Sequence, residues 1–311
     1  MITYLLRRTV GLIPVFFGLS LTIFLLIHLI PGDPAQVMLG FRATPEAIAR
    51  LHKAWHLDGP LWSQYLGFLQ RLFTGDLGDS VQYQAPVRDL LETRVQETLL
   101  LAFLSMVLSV ALAIPLATIS ATKKDRWPDQ LIRIVTLLGF TMPSFWLALL
   151  LMLLLGSNLH LVPVAGYGDT LGDHLYHLIL PSIVVALSVF PLIVRTLRAG
   201  MLEVMSMEFV KTARAKGLKR RTVLYRHVVR NALIPTIAIV GVNMGFLLGG
   251  AVVIEAVFGL PGVGYLLITG INQRDYPLVQ GGALVLAMIF VLVNFLTDVT
   301  YTMVDPRIRH R

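Results

Sequence analysis

The chain has 311 residues, of which 56% are hydrophobic and only 14% charged, and a formal net charge of +8. That balance excludes an ordinary water-soluble domain, and the absence of cysteine excludes disulfides, thiolate chemistry and cysteine-held metal or iron–sulfur centres. The basic excess falls in hydrophilic breaks between apolar runs, a positive-inside pattern that argues against a nucleic-acid surface.

Six apolar segments have the ~20 residues a bilayer crossing needs. They lie at about 9–30, 98–121, 132–155, 175–195, 233–257 and 281–303. The first follows Arg7 and Arg8 and reads as a retained span. Its apolar run is too long for a signal peptide, and Ile30-Pro31-Gly32-Asp33-Pro34 stands where a small-residue cleavage site would be. If the spans alternate, four basic groups share one side. These are the N-terminal arginines, the loop with Lys123, Lys124, Arg126 and Arg133, the stretch 206–235, and the tail with Arg307, Arg309 and Arg311. Both termini of this multi-pass chain are then expected in the cytoplasm.

This division gives residues 1–30 as the N-terminal end and first helix, 31–97 as an extracytoplasmic helical cap, 98–303 as a core of five helices and 304–311 as a tail. In the cap, Thr44-Pro45-Glu46 signals a helix start. Pro60 opens another helix, with Leu61, Tyr65, Leu66, Leu69 and Phe73 as its apolar stripe, and Gly75-Asp76-Leu77-Gly78 ends it. Such a segment is too short for a core of its own. Pro14, Pro115, Pro143, Pro181 and Pro191 interrupt the spans, either as packing kinks or as hinges.

The segment SMEFVKTARAKGLKRRTVLYRHVVRNALIP, 206–235 within the loop 200–232 and its flank, is strongly basic between two apolar spans. At about 3 kcal/mol per charge its lysines and arginines cannot enter lipid. It reads as two short helices. Ser206 caps the first, Glu208 stands in its first turn, and Gly217 ends it. Phe209, Val210 and Ala213 share one small face, with Lys211, Arg214 and Lys216 pointing elsewhere. A helix of this kind in water beside a membrane suits docking into a groove on a partner.

Other candidate chemistry is sparse. His52/His56 and His174/His177 have helical spacing without the glutamate of an HExxH site, and read as exposed or interfacial histidines. Arg195 and Arg198 would end the fourth span and snorkel. No P-loop and no GxSxG occurs, so no enzyme and no ATP site is expected in this chain. Glu255 and Asp298, in or near spans five and six, open the alternative of a proton-coupled secondary carrier. Glu255 lies in a glycine-rich run, 249–264, which small residues suit for close helix packing. Glu255, Phe258, Pro261 and Gly262 are the candidates for an outer gate.

Seven stretches then stand in order: LIPGDPA (29–35), QYLGFLQRLFTGDLGDS (64–80), ETLLLA (97–102), MPSFWLALLL (142–151), EFVKTARAKGL (208–218), RNALIP (230–235) and GAVVIEAVFGLPGVG (250–264). Together they resemble the permease subunits of bacterial ABC importers for dipeptides, oligopeptides, nickel and glutathione. The pattern is similar to the first, B-type, peptide permease. The resemblance implies an all-α, six-span type I importer fold. It also implies that TARAKG is the cytoplasmic EAA loop, whose helix enters a groove on an ATPase subunit. Its E-A-A-x-x-x-G pattern falls on Lys211, Thr212, Ala213 and Gly217, departing at the first two letters. Glu208, Phe209, Val210, Lys211, Thr212, Ala213, Arg214, Gly217 and Leu218 would then couple to the ATPase. The implied partners are a second, similar permease subunit, two cytosolic ATPases that bind the ATP and magnesium, and an extracytoplasmic solute-binding protein. This chain would hold no cofactor.

Overall fold

The computed structural model describes residues 2–29, 32–40, 43–55 and 59–304. Ile30, Pro31, His56 and the tail arginines Arg307, Arg309 and Arg311 lie outside the described residues. The helices in order are α1 (Ile2–His28), α2 (Pro34–Leu39), α3 (Pro45–Trp55), α4 (Leu61–Phe73), α5 (Val87–Thr122), α6 (Trp127–Thr141), α7 (Ser144–Leu151), α8 (Leu171–Ser206), α9 (Glu208–Ala215), α10 (Arg220–Thr222), α11 (Arg230–Phe258), α12 (Val263–Gln273) and α13 (Tyr276–Val304). π-Helical turns extend α7 to Asn158 and join α10 to α11. The described residues contain no strand, and the protein is an all-α membrane protein.

Among the described residues five helices are long and apolar enough to cross a bilayer, and α6 with α7 and its π-helical extension forms a further apolar pair bent by 106°, a broken span or a re-entrant loop. That break falls at Pro143. Met142, the residue before it, has φ −76° and ψ 130°, the extended conformation a following proline enforces. Pro14, Pro115, Pro181 and Pro191 instead lie inside continuous helices. α5 and α8 each run for 36 residues. At 1.5 Å per residue either outreaches the ~30 Å hydrocarbon layer. The apolar windows marked only the most hydrophobic part of each helix.

The chain divides into two compact units. One comprises residues 1–98 and 260–291. Its core joins Val87 and Leu91 of α5 to Val263 and Leu266 of α12 and Leu278 of α13. A second cluster joins Ile23 and Phe24 of α1 to Phe68 of α4 and Leu284 of α13. The cap segment thus shares a core with residues almost two hundred positions on. A Cβ on Gly281 would stand 2.6 Å from Val87 Cγ1, so α13 approaches α5 there as only glycine allows. The expected stripe on α4 needs correction. Gln64, Phe68 and Leu69 are buried, while Leu61, Leu66 and Phe73 are exposed. Gln64 turns inward because its side chain meets His28 Nε2 at 2.9 Å and donates to the Gly59 carbonyl.

The other unit, residues 99–259 and 292–311, is built around α8 and α11, which pack along each other. Leu178, Leu180, Ile193, Leu197 and Met201 of α8 and Leu247, Ile254 and Phe258 of α11 are almost fully buried. Pro191 has no N–H for the Leu187 carbonyl. Gly139 of α6 lies against that carbonyl, where a Cβ would come to 3.3 Å, so α6 passes close over the freed group. Nearer the end of α8, Gly200 faces Ala232 at the start of α11.

Candidate functional site: the basic loop between α8 and α11

The basic loop is ordered by short-range chemistry. α8 ends at Ser206, and Met207 alone separates it from α9. Ser206 is therefore not the expected cap. Its hydroxyl donates back to the Glu203 carbonyl within α8, and Met207 takes the N-cap position with extended backbone. Glu208 stands in the first turn, where the helix dipole favours an anion, and it accepts from Lys211 Nζ at 2.6 Å. With side chains 84% and 61% exposed, that pair adds little stability.

The C-terminus of α9 has the Schellman pattern. Leu218 N–H donates to the Ala213 carbonyl, Gly217 N–H donates to Arg214, and Gly217 adopts φ +76°. An L side chain at that φ is strained, so glycine is required at the turn. Beyond it, Lys219 begins a helical run that continues through the π turn into α11.

The face expected to meet a partner divides in two. Val210 is fully buried and Ala213 is 7% exposed, because they seat α9 on α8 and on the π turn 223–229 of the same chain. Phe209 and Leu218 are each 42% exposed, and Thr212, Arg214 and Lys216 point outward with them. Two apolar side chains therefore stand exposed among cations. The second predicted short helix is α10 with the π turn 223–229, which runs on without a break into α11, so the loop leads directly into a membrane helix.

Arg198 also needs correction. It lies two turns before the end of α8, and its guanidinium reaches back to Asp129 of α6, Nη2 to Oδ2 at 2.6 Å and Nε to Oδ1 at 2.9 Å. Asp129 is fully buried and also accepts from the Ser120 hydroxyl of α5 and the Asp125 N–H. One carboxylate thus ties three helices together a short way before α9. Hydropathy alone could not pair residues so far apart, although an acid at the start of an apolar helix was the available signal.

Residues 113–310 match the family described as "Binding-protein-dependent transport system inner membrane component". Residues 1–102 match its N-terminal companion, "Binding-prot-dependent transport system membrane comp, N-term". The chain belongs to this family.

It is a multi-pass permease of the ABC importer class, as the seven sequence stretches implied. Over the full length of both chains it is 37% identical to the dipeptide transport system permease protein DppB of Alkalihalophilus pseudofirmus and to that of Escherichia coli K12. It is 36% identical, again over both full lengths, to the glutathione transport system permease protein GsiC of Escherichia coli K12. These comparisons offer no support for a proton-coupled carrier.

The outer-gate candidates of this permease divide between the two units. Glu255 and Phe258, each 1% exposed, occupy the last turn of α11, which Gly259 closes at φ +62°. The Phe258 carbonyl accepts from Gly166 N–H at 3.1 Å, pinning the loop before α8. Pro261 and Gly262 belong to the other unit, where Gly262 is the N-cap of α12. In that unit the sequence reading passed over Asp275. It accepts from the Ser80 hydroxyl, from Gln82 N–H at 3.1 Å and from Leu278 N–H at 3.3 Å, so it caps α13 and holds the 80–82 turn. The cue was Asp275-Tyr276-Pro277 before an apolar helix, an N-cap pattern. His52 pairs with Asp33 at 2.9 Å, and the His174 ring stacks on Tyr167.

Proposed function

We propose that this permease is the transmembrane subunit of an ATP-driven importer of di- or oligopeptides, with both termini in the cytoplasm. The names of its full-length relatives support a peptide-like substrate, dipeptide in one and glutathione in the other. Nickel chelates are the remaining class suggested by the motifs. A second permease completes the path, two cytosolic ATPases bind ATP and magnesium, and a solute-binding protein delivers substrate to the outer side.

One observation carries the reading: α9 and the turn after it present Phe209 and Leu218 among cations while Val210 and Ala213 anchor α9 to the neighbouring helices. Glu208, Lys211, Thr212, Arg214 and Gly217 complete the ATPase contact. The connections are short, one residue to α8 and a tight glycine turn toward α11. A displacement of α9 by a closing ATPase therefore passes into both helices with little slack. Nucleotide acts only through that contact, because a ligand shifts a conformational equilibrium by its differential affinity for the two states. Glu255, Phe258, Pro261 and Gly262 are assigned to the outer gate.

The experiment is uptake in proteoliposomes with the full set of partners. Gly217→Glu is expected to abolish ATP-dependent uptake while membrane insertion is normal, and unimpaired uptake would refute the coupling role. Substrate accumulation by this chain on a proton gradient without any ATPase would establish the carrier instead.

A further inference from the structure

Beside the Asp129–Arg198 pair, between α6 and α8, lies an open cleft of about 970 Å³. The pair and the Gly139–Leu187 contact set the two helices antiparallel, so the start of α6 lies beside the later turns of α8. The lining is graded along them. At the mouth stand Lys124, Arg133 and Arg195, all exposed. Deeper in the membrane segment the walls are Leu137, Phe140 and Leu192.

Arg198 is already neutralised by Asp129, whereas Lys124, Arg133 and Arg195 form no ion pair among the described residues. Asp125 is the acid at the mouth, so the unpaired charge there remains positive. Trp127, 73% exposed at the first position of α6, marks this level as a membrane–water interface, where indole rings concentrate. A cationic mouth at that depth above an apolar channel matches one chemistry, a phosphodiester headgroup with its acyl chain below.

We propose that this cleft binds an anionic phospholipid, with Arg133 and Arg195 on the headgroup phosphate and one acyl chain along Leu137, Phe140 and Leu192. A free phosphate would leave the apolar walls in contact with water. A zwitterionic lipid would bring a cation to a cationic mouth.

The test uses the assembled transporter in nanodiscs of equal phosphatidylglycerol and phosphatidylcholine, with native mass spectrometry of the lipid retained after detergent transfer. Wild type is expected to retain phosphatidylglycerol selectively. At ~1 kcal/mol per cation near a membrane surface, Arg133→Gln or Arg195→Gln should lower the selectivity about fivefold, and the two together roughly thirtyfold. Arg133→Lys with Arg195→Lys should preserve most of it, which separates loss of charge from loss of fold. Equal retention of both lipids by wild type, or unchanged selectivity in the double glutamine variant, overturns the proposal. So does displacement of the lipid by inorganic phosphate at matched ionic strength. A benzophenone side chain at Phe140 should crosslink to lipid, and capture of the second permease there would also overturn it.

Discussion

The carboxylate of Asp129 and the guanidinium of Arg198 meet 2.6 Å apart across sixty-nine residues of sequence, with Asp129 wholly withdrawn from solvent. A buried pair of this kind costs desolvation on both sides, and its importance shows when one partner is lost. Asp129→Ala leaves an uncompensated cation and should lower stability by about 3–5 kcal/mol. Asp129→Leu combined with Arg198→Met should recover much of that loss. Thermal unfolding of the solubilised chain, run as a double-mutant cycle, checks both.

Phe209 and Val210 are adjacent yet have opposite exposures, 42% and 0%. Phe209→Ala should leave the melting temperature unchanged and cut transport-coupled ATP hydrolysis of the assembled complex by roughly tenfold, as expected of an interface anchor. Val210→Asp should instead destabilise the chain before any partner is added, because it buries a carboxylate against its own helices. If both variants behaved alike, α9 would have no outward contact face.

Gly241 of α11 faces Thr297 of α13 so closely that a Cβ would lie 1.6 Å from Thr297 Cγ2. Gly241→Ala forces that side chain or helix to shift, an overpacking worth about 1–3 kcal/mol. Thr297→Ala in the same chain should recover part of the loss by removing the nearest methyl. Yield of monodisperse protein and its melting temperature report the effect.

Asp275 is 2% exposed and holds three donors at once. Asp275→Ala strands them, at about 1–3 kcal/mol for each group left without a partner or water. Hydrogen exchange should speed up at Gln82, Tyr83 and Leu278 and stay unchanged in α9. Uniform acceleration across the chain would indicate global destabilisation in place of a lost local tie.

The membrane class, the basic loop and its closing Gly217 were legible in the sequence. Each depends on local composition or on a single backbone requirement, and the seven motif stretches identified the family for the same reason. Thr44-Pro45-Glu46 likewise worked because a cap is short-range chemistry, with Thr44 Oγ1 accepting from Ala47 N–H at 3.2 Å. Pro143 carried two open readings, since a proline's effect depends on whether neighbouring helices support the bent backbone.

What tertiary structure alone decided concerns residues that meet across distance. Hydropathy could not show that Val210 faces inward while Phe209 faces out, because both are apolar and stand side by side. It placed Arg198 at a helix end when its partner lay on another helix. It also left the cap without a core, because α12 and the first half of α13 return to supply one. Periodicity reports which side chains avoid water, and only packing decides which surface each of them covers.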